Sequence, residues 1–243
     1  MRIITLIICI GISASAQGVW IKKADFGGTA RRGTAAFSIG AKGYIGTGWD
    51  NTNKKDFWEW NQTTNTWTQK ATFAGTARRG AIGFSIGAKG YIGTGWEGGN
   101  FFPKDLWEWN GDITSPNYNK WTQKATFGGV GRYVGTGFSI GAKGYIGTGF
   151  DGNSYLKDFW EWDQSTNAWT QKADFGGAAR WGAAGFSIGN KGYIGAGGNP
   201  PSKDFWEWDG DITSPAYNTW TRKADFGGTG RRAVAGFSIG NKG

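Results

Sequence analysis

The sequence predicts an all-β protein of radially stacked, four-stranded blades, a β-propeller, and three observations carry that expectation. A block recurs along the whole chain: FSIG, a glycine-bounded turn, GYIG, a loop, then FWEW or LWEW and a lone tryptophan further on. The lone tryptophans Trp20, Trp67, Trp121, Trp169 and Trp220 lie 47, 54, 48 and 51 residues apart, the length of one propeller blade. No window shows a 3.6-residue apolar period with helix caps, whereas the blocks alternate in the two-residue rhythm of strands.

The N-terminal segment is set apart first. Arg2 precedes an apolar run, residues 3–12, and Ala14-Ser15-Ala16 before Gln17 has the small-x-small form of a signal-peptidase site. Residues 1–16 are read as a signal peptide and 17–243 as the propeller, so the expected location is secreted, periplasmic or at the cell surface. The run is too short for a membrane anchor, and no other stretch approaches the roughly 20 apolar residues of a span. The single cysteine, Cys9, falls inside the signal, and Ile8 before it is too bulky for a lipid-attachment site. The mature chain would then have neither disulfide nor thiol chemistry.

One repeat reads as four strands. Residues 34–39 (TAAFSI) form the first, residues 40–43 the turn, and residues 44–49 the second. After a variable loop, residues 56–60 (DFWEW) form the third strand, 61–65 (NQTTN) a polar turn, and 66–71 (TWTQKA) the fourth. Glycine-rich residues 73–80 lead into the next unit. Such sheets are apolar on both faces, and stacking them radially buries both. Gly46 and Gly48 in the second strand are expected to admit a neighbouring tryptophan ring. Lys70, Lys124, Lys172 and Lys223 are expected to guard the outer edge against pairing.

The repeats fall at about 25–71, 72–125, 126–173 and 174–224, with an incomplete one at 225–243. Residues 19–24 (VWIKKA) match only the fourth strand of a repeat. The expectation is therefore four complete blades and a partial fifth, a fragment of a six- or seven-bladed ring with an open edge. A longer period is also visible: the turn after the third strand is short in the first and third blades and long in the second and fourth, where it carries GDITSP. A pair of blades is read as the duplicated unit.

The segment KDFWEWNQTTNTWTQKA resembles the kelch motif, in which an aromatic precedes a turn and a tryptophan follows seven residues later. The matching pairs are Trp60 with Trp67, Trp162 with Trp169, and, with an insertion, Trp109 with Trp121 and Trp208 with Trp220. Where kelch repeats have a double glycine, this chain reads GTG, as in Gly46-Thr47-Gly48, or GAG in the fourth blade. The resemblance implies a propeller of six or seven blades, in a family of binding modules and a few sugar enzymes.

Because strands alternate in direction, the inter-blade loop and the loop between strands two and three emerge on one face, and the other turns on the opposite face. Arg31, Arg78, Arg132, Arg180 and Arg231 recur in every repeat and are read as glue between blades. The residue after each varies: Arg32, Arg79, Tyr133, Trp181 and Arg232. Such variation over a constant scaffold suits a recognition surface. The loops add Trp49, Trp96, Phe101, Phe102, Phe150 and Tyr155 to the same face, and Trp49, Trp96, Phe101 and Phe150 complete the candidate ligand-binding set. Rings over a basic surface suit a carbohydrate or an acidic polymer; the alternative is that they only cover the inner strands.

The chain contains no histidine, which excludes a histidine general base, a Ser-His-Asp arrangement and histidine metal ligands. Glu59, Glu108, Glu161 and Glu207 repeat identically around the arc, so they are read as structural, paired with the recurring arginines rather than as glycosidase acids. Asp50, Asn51, Asn53 and Asp56, and Asp151, Asn153 and Asp158, lack EF-hand spacing. No catalytic residue, metal or cofactor is expected. The formal charge of +9 favours acidic partners at an envelope surface over nucleic acid. The expected function is an exported, non-catalytic module that recognises an extracellular glycan or protein. The alternative is a secreted, sugar-active kelch enzyme resembling the sialic acid epimerases.

Overall fold

The computed structural model describes residues 19–243, so the expected signal peptide lies outside the described residues. Sixteen strands form four antiparallel sheets, with no helix among the described residues. The first blade is β1 (Ala35–Ile39), β2 (Lys42–Gly46), β3 (Phe57–Asn61) and β4 (Thr66–Gln69). The second is β5 (Ile82–Ile86), β6 (Lys89–Gly93), β7 (Leu106–Asn110) and β8 (Trp121–Gln123), and the third is β9 (Thr136–Ile140), β10 (Lys143–Gly147), β11 (Phe159–Asp163) and β12 (Ala168–Lys172). The fourth is β13 (Ala184–Ile188), β14 (Lys191–Gly195), β15 (Phe205–Asp209) and β16 (Trp220–Lys223). Within each blade the strands lie in chain order. The FSIG strands are innermost: β1 packs beside β5, β5 beside β9 and β9 beside β13.

Strand ends shift by up to three residues from the sequence expectation, and three differences bear on the architecture. The inner turn is only Gly40-Ala41, so Lys42 already pairs with Ile39. The second strand ends at Gly46, because Thr47 (φ 60°) and Gly48 (φ 104°) enter the left-handed region, where no ladder continues. The fifth FSIG block forms no strand, only an isolated bridge between Ile239 and Lys242, and Phe237 stays 67% exposed. That segment lies against the fourth blade across an apolar groove lined by Phe186, Phe205, Phe226 and Phe237.

Packing between blades explains the small residue that opens GYIG in the second, third and fourth blades. A Cβ on Gly90 would sit 2.1 Å from the Phe37 ring of the preceding blade, and Gly144 and Gly192 meet Phe84 and Phe138 in the same way at 2.3 Å. Gly46 faces Phe57 and Ile92. The rings these glycines admit are therefore phenylalanines, not the tryptophans expected, and Gly48 meets Thr34 and Arg31 rather than a ring. The second tryptophan of WEW instead locks one blade onto the one before it. Trp109, Trp162 and Trp208 are fully buried and tilt onto Tyr44, Tyr91 and Tyr145 of the preceding blade at 5.0 Å.

The polar turn after each third strand closes every seam. Asn65, Asn119, Asn167 and Asn218 hold φ between 52° and 61°, a region asparagine tolerates better than most residues. Asn119 Oδ1 accepts from its own blade's Trp109 Nε1 at 3.1 Å and from the main-chain N–H of Ala71 in the preceding blade at 2.9 Å. Trp121 Nε1 donates back to the Ala71 carbonyl at 2.9 Å. The same clasp recurs with Asn167 on Ala125 and Asn218 on Ala173, and Asn65 holds Ala24. Residues 19–24 form no strand, and Trp20 is 98% exposed.

Two further expectations are corrected in the polar interior. The recurring arginines pair with aspartates, not with the glutamates: Arg31 with Asp56, Arg78 with Asp105, Arg132 with Asp158 and Arg180 with Asp204. The ladder register is the reason, because it places Glu59 opposite Tyr44 in mid-strand, while the aspartate precedes the third strand at the arginine's end of the blade. Glu59 accepts from the Tyr44 hydroxyl at 2.8 Å and from Lys42 at 3.0 Å. Lys70, Lys124 and Lys172 fold back to Glu59, Glu108 and Glu161 at 3.3 Å, and Lys223 to Glu207 at 3.1 Å, so they are tied to glutamates rather than projected as edge guards.

The two-blade period is built into the seams. Lys70 and Lys172 donate to the hydroxyls of Tyr118 and Tyr217, which the long turns of the next blades supply, each at 3.0 Å. Between the second and third blades the contact is different: Gln164 of the short turn donates to the Tyr91 hydroxyl at 2.7 Å.

These ion pairs set the acid limb of stability. Burial pushes the Asp204 carboxyl up, but hydrogen bonds from Arg180, Ser202 and Trp206 outweigh it and hold the group at about 2. Glu59, Glu108, Glu161 and Glu207 are likewise held below the usual range by tyrosine and lysine partners acting against burial. A carboxyl with a depressed folded pKa contributes stability that is present above its unfolded value and lost as pH falls through the folded one. Denaturation midpoints should therefore hold down to about pH 5 and fall between about pH 4 and 2. Asp204→Asn should flatten that limb by on the order of 2 kcal/mol.

Candidate functional site

A thread of main-chain hydrogen bonds crosses the blades on the face that carries the inter-blade loops. Gly80 N–H donates to the Gly33 carbonyl (2.7 Å), Val134 to Gly80 (2.8 Å), Gly182 to Val134 (2.9 Å) and Ala233 to Gly182 (2.9 Å). All five residues are left-handed, with φ of 67°, 62°, 53°, 64° and 56° from Gly33 to Ala233. Glycine adopts that region freely; for β-branched Val134 it is a strained conformation held by its surroundings. The residues directly before the thread are Arg32, Arg79, Tyr133, Trp181 and Arg232. The thread therefore sets the five variable residues in one row, one per repeat.

A second contact brings the loop aromatics to the same row. Arg32 and Trp49 exchange main-chain hydrogen bonds at 3.1 and 2.9 Å, as do Arg79 with Trp96 and Tyr133 with Phe150. The two sets of residues singled out in the sequence are thus paired blade by blade. In the fourth blade Trp181 meets Gly198 instead. The opposite turns meet each other on the far side, where Gly111 N–H donates to the Ala88 carbonyl and Gly210 to Asn190.

The side chains form a nearly continuous ladder. The Arg32 guanidinium lies 4.6 Å from the Trp49 ring centre, and Arg79 lies 5.2 Å from Trp49 and 4.1 Å from Trp96. Trp96 is followed by Tyr133 at 6.0 Å, Tyr133 by Phe150 at 5.9 Å, and Phe150 by Tyr155 at 5.3 Å. At the far end Arg232 lies 5.1 Å from the Trp181 ring and donates to Asn199 Oδ1 at 3.4 Å. Of the two adjacent loop phenylalanines, Phe102 packs 5.8 Å from Tyr133, while Phe101 stands 73% exposed beyond the ladder. Sequence reasoning passed over Asn199; the fourth blade's departure from GTGWD to GAGGNPP was the available signal.

The charges on this face differ from those beneath it. Arg31, Arg78, Arg132 and Arg180 are each neutralised by an aspartate. Among the described residues, Arg32, Arg79 and Arg232 pair with no carboxylate. Burial and the nearby Arg32 charge press the Arg79 pKa below its ordinary value. Trp181 Nε1 is buried without a hydrogen-bond partner. In the oxygen-rich loops, Asp56 and Asp158 face Arg31 and Arg132, and Asp50 accepts from Lys54 at 2.9 Å.

These features define a class: a run of β-propeller blades with a cationic and aromatic row along one face. Comparison with known proteins adds the fold and nothing finer. The solved structure of YjhT superposes with a TM-score of 0.68, at 18% identity, over 83% of this chain and 68% of its own. No family model matches the sequence, and no curated protein matches it.

Proposed function

We propose that this protein is an exported, non-catalytic binding module of the kelch type, which recognises a glycan or another extracellular macromolecule through its inter-blade-loop face. The observation that carries the reading is the row itself: side chains that vary between repeats are brought together by a main-chain thread that does not. The buried arginine–aspartate pairs and the glutamate–tyrosine contacts, by contrast, use the same residues in all four blades. The glutamates that could have served as paired acids are occupied by lysines and tyrosines inside the blades. The absence of histidine removes the commonest general base. The apolar N-terminal run with its small-x-small site supports export.

The test is a glycan and extracellular-protein array probed with the full-length protein. Tyr133→Ala combined with Trp181→Ala should lower binding at least about tenfold, the scale of losing aromatic hot spots, with an unchanged circular dichroism spectrum. Ile113→Ser with Ile212→Ser, at the exposed tips of the opposite turns, should leave binding as it was. The reverse pattern would place the binding surface on the wrong face. Turnover of a sugar by the protein would overturn the non-catalytic assignment.

A further inference from the structure

The ladder changes what kind of ligand the face can take. Bare tryptophan rings would offer flat apolar surfaces to neutral sugars. Here Trp49 lies against two guanidiniums, Arg32 and Arg79, and Trp96 against Arg79. What this end of the row presents is therefore arginine. A guanidinium steadied on a ring loses little further freedom on binding and keeps N–H donors in its plane for a planar or tetrahedral oxyanion.

We propose that Arg32 and Arg79, supported on Trp49 and Trp96, form an anion seat for the carboxylate or sulfate of an acidic polysaccharide. The inference rests on the reading of this face as the binding surface. Two observations support it beyond the stacking. The arginine one residue earlier in each of these two repeats has its own aspartate, Asp56 or Asp105, whereas Arg32 and Arg79 share one ring with no carboxylate partner among the described residues. Two like charges on one ring repel each other, and burial together with the Arg32 charge lowers the Arg79 pKa. A bound anion removes the repulsion.

The distribution of charge favours a polysaccharide over a nucleic acid. The cations sit at the two ends of the row, Arg32 and Arg79 at one and Arg232 at the other. The middle is Tyr133, Phe102 and Phe150, uncharged rings in mutual contact. A strand with a phosphate on every unit would lay several charges over that middle. A glycan charged on alternate sugars places the apolar faces of its uncharged rings between its charges and matches both parts.

Isothermal titration of the full-length protein at several salt concentrations tests the proposal. The probes are hyaluronate for carboxylate and κ-carrageenan for sulfate, each charged on alternate sugars, with dextran as a neutral polymer and poly(dT) as a nucleic acid. One or both acidic glycans should bind, with affinity falling as salt rises, and dextran should not. Arg32→Gln with Arg79→Gln should weaken binding at least about tenfold, as loss of a charged hot-spot pair does. Arg79→Lys should lose most of the same affinity, because it keeps the charge but not the stacked fork. Lys120→Gln, in the long turn of the opposite face, removes a charge away from the row and should have little effect.

Equal binding of dextran, failure of both acidic glycans, or an equal loss in the lysine control would overturn the anion seat. Tighter binding of poly(dT) would overturn the choice of polysaccharide. If Tyr133→Ala and Trp181→Ala abolish binding while the arginine variants do not, the face stands and the seat falls. If neither set matters, both fall.

Discussion

Replacing Arg132 with alanine is expected to remove about 3–5 kcal/mol of stability, the scale of breaking one partner out of a buried ion pair. Its side chain is 0% exposed. It forks onto Asp158 with two bonds of 2.6 Å, donates to the Thr148 carbonyl at 2.9 Å and covers the Phe127 ring at 4.8 Å. The alanine variant would leave the Asp158 carboxylate with Trp160 Nε1 as its remaining side-chain donor and take the guanidinium from the Thr148 and Val130 carbonyls. Arg132→Lys should recover little, since one ammonium cannot reproduce a planar fork addressing three acceptors. Arg132→Ala with Asp158→Ala should be less damaging than the sum of the two single changes. Chemical denaturation of the four proteins closes that cycle, and additive losses would refute the coupling.

Gly144→Ala should cost about 1–3 kcal/mol, the range for forcing a methyl into a filled core. The new Cβ would stand 2.3 Å from the Phe84 ring, which belongs to the preceding blade and is itself packed flat on Tyr91 at 5.0 Å. The ring has nowhere to retreat without opening the seam. Gly144→Ala combined with Phe84→Leu should therefore be more stable than Gly144→Ala plus the separate cost of Phe84→Leu. A methyl added to Gly141, in the adjacent turn, would meet no atom within 4 Å, but φ there is 56°, so Gly141→Asn should be nearly neutral. A stable Gly144→Ala protein would mean that the blades do not seat by this ring.

Much of the fold was legible because each blade repeats residues with one use. The FSIG, GYIG and WEW blocks alternate in the two-residue rhythm of strands, which all but the fifth FSIG block form, and their spacing sets the blade. The register of side chains was less legible. Asp56 and Glu59 are three residues apart, and nothing in the string says which of them meets Arg31; only the pairing of Tyr44 opposite Glu59 decides it. The ring over Gly90 could not be assigned to Phe37 for the same reason, since the two belong to different blades. At the candidate site, the variable residues and loop aromatics were visible as departures from the repeat. The thread that aligns them was hidden, because Gly33, Gly80, Val134, Gly182 and Ala233 share a backbone conformation rather than a residue type. Phe101 and Phe102 are adjacent and chemically alike, and only the loop's bridge between Gly98 and Phe101 determines which one turns inward.

The alternation of seams imposes a parity on the architecture. A lysine of a short-turn blade looks to the tyrosine of a long turn, and a glutamine of a short turn looks to the tyrosine of a long-turn blade behind it. Excising any single internal blade would set two blades of one kind side by side, leaving a lysine without its hydroxyl or a tyrosine without its amide. Excising two neighbours would bring matching surfaces together again. Arrays of such blades keep every one of these seam contacts only when blades are gained or lost in pairs.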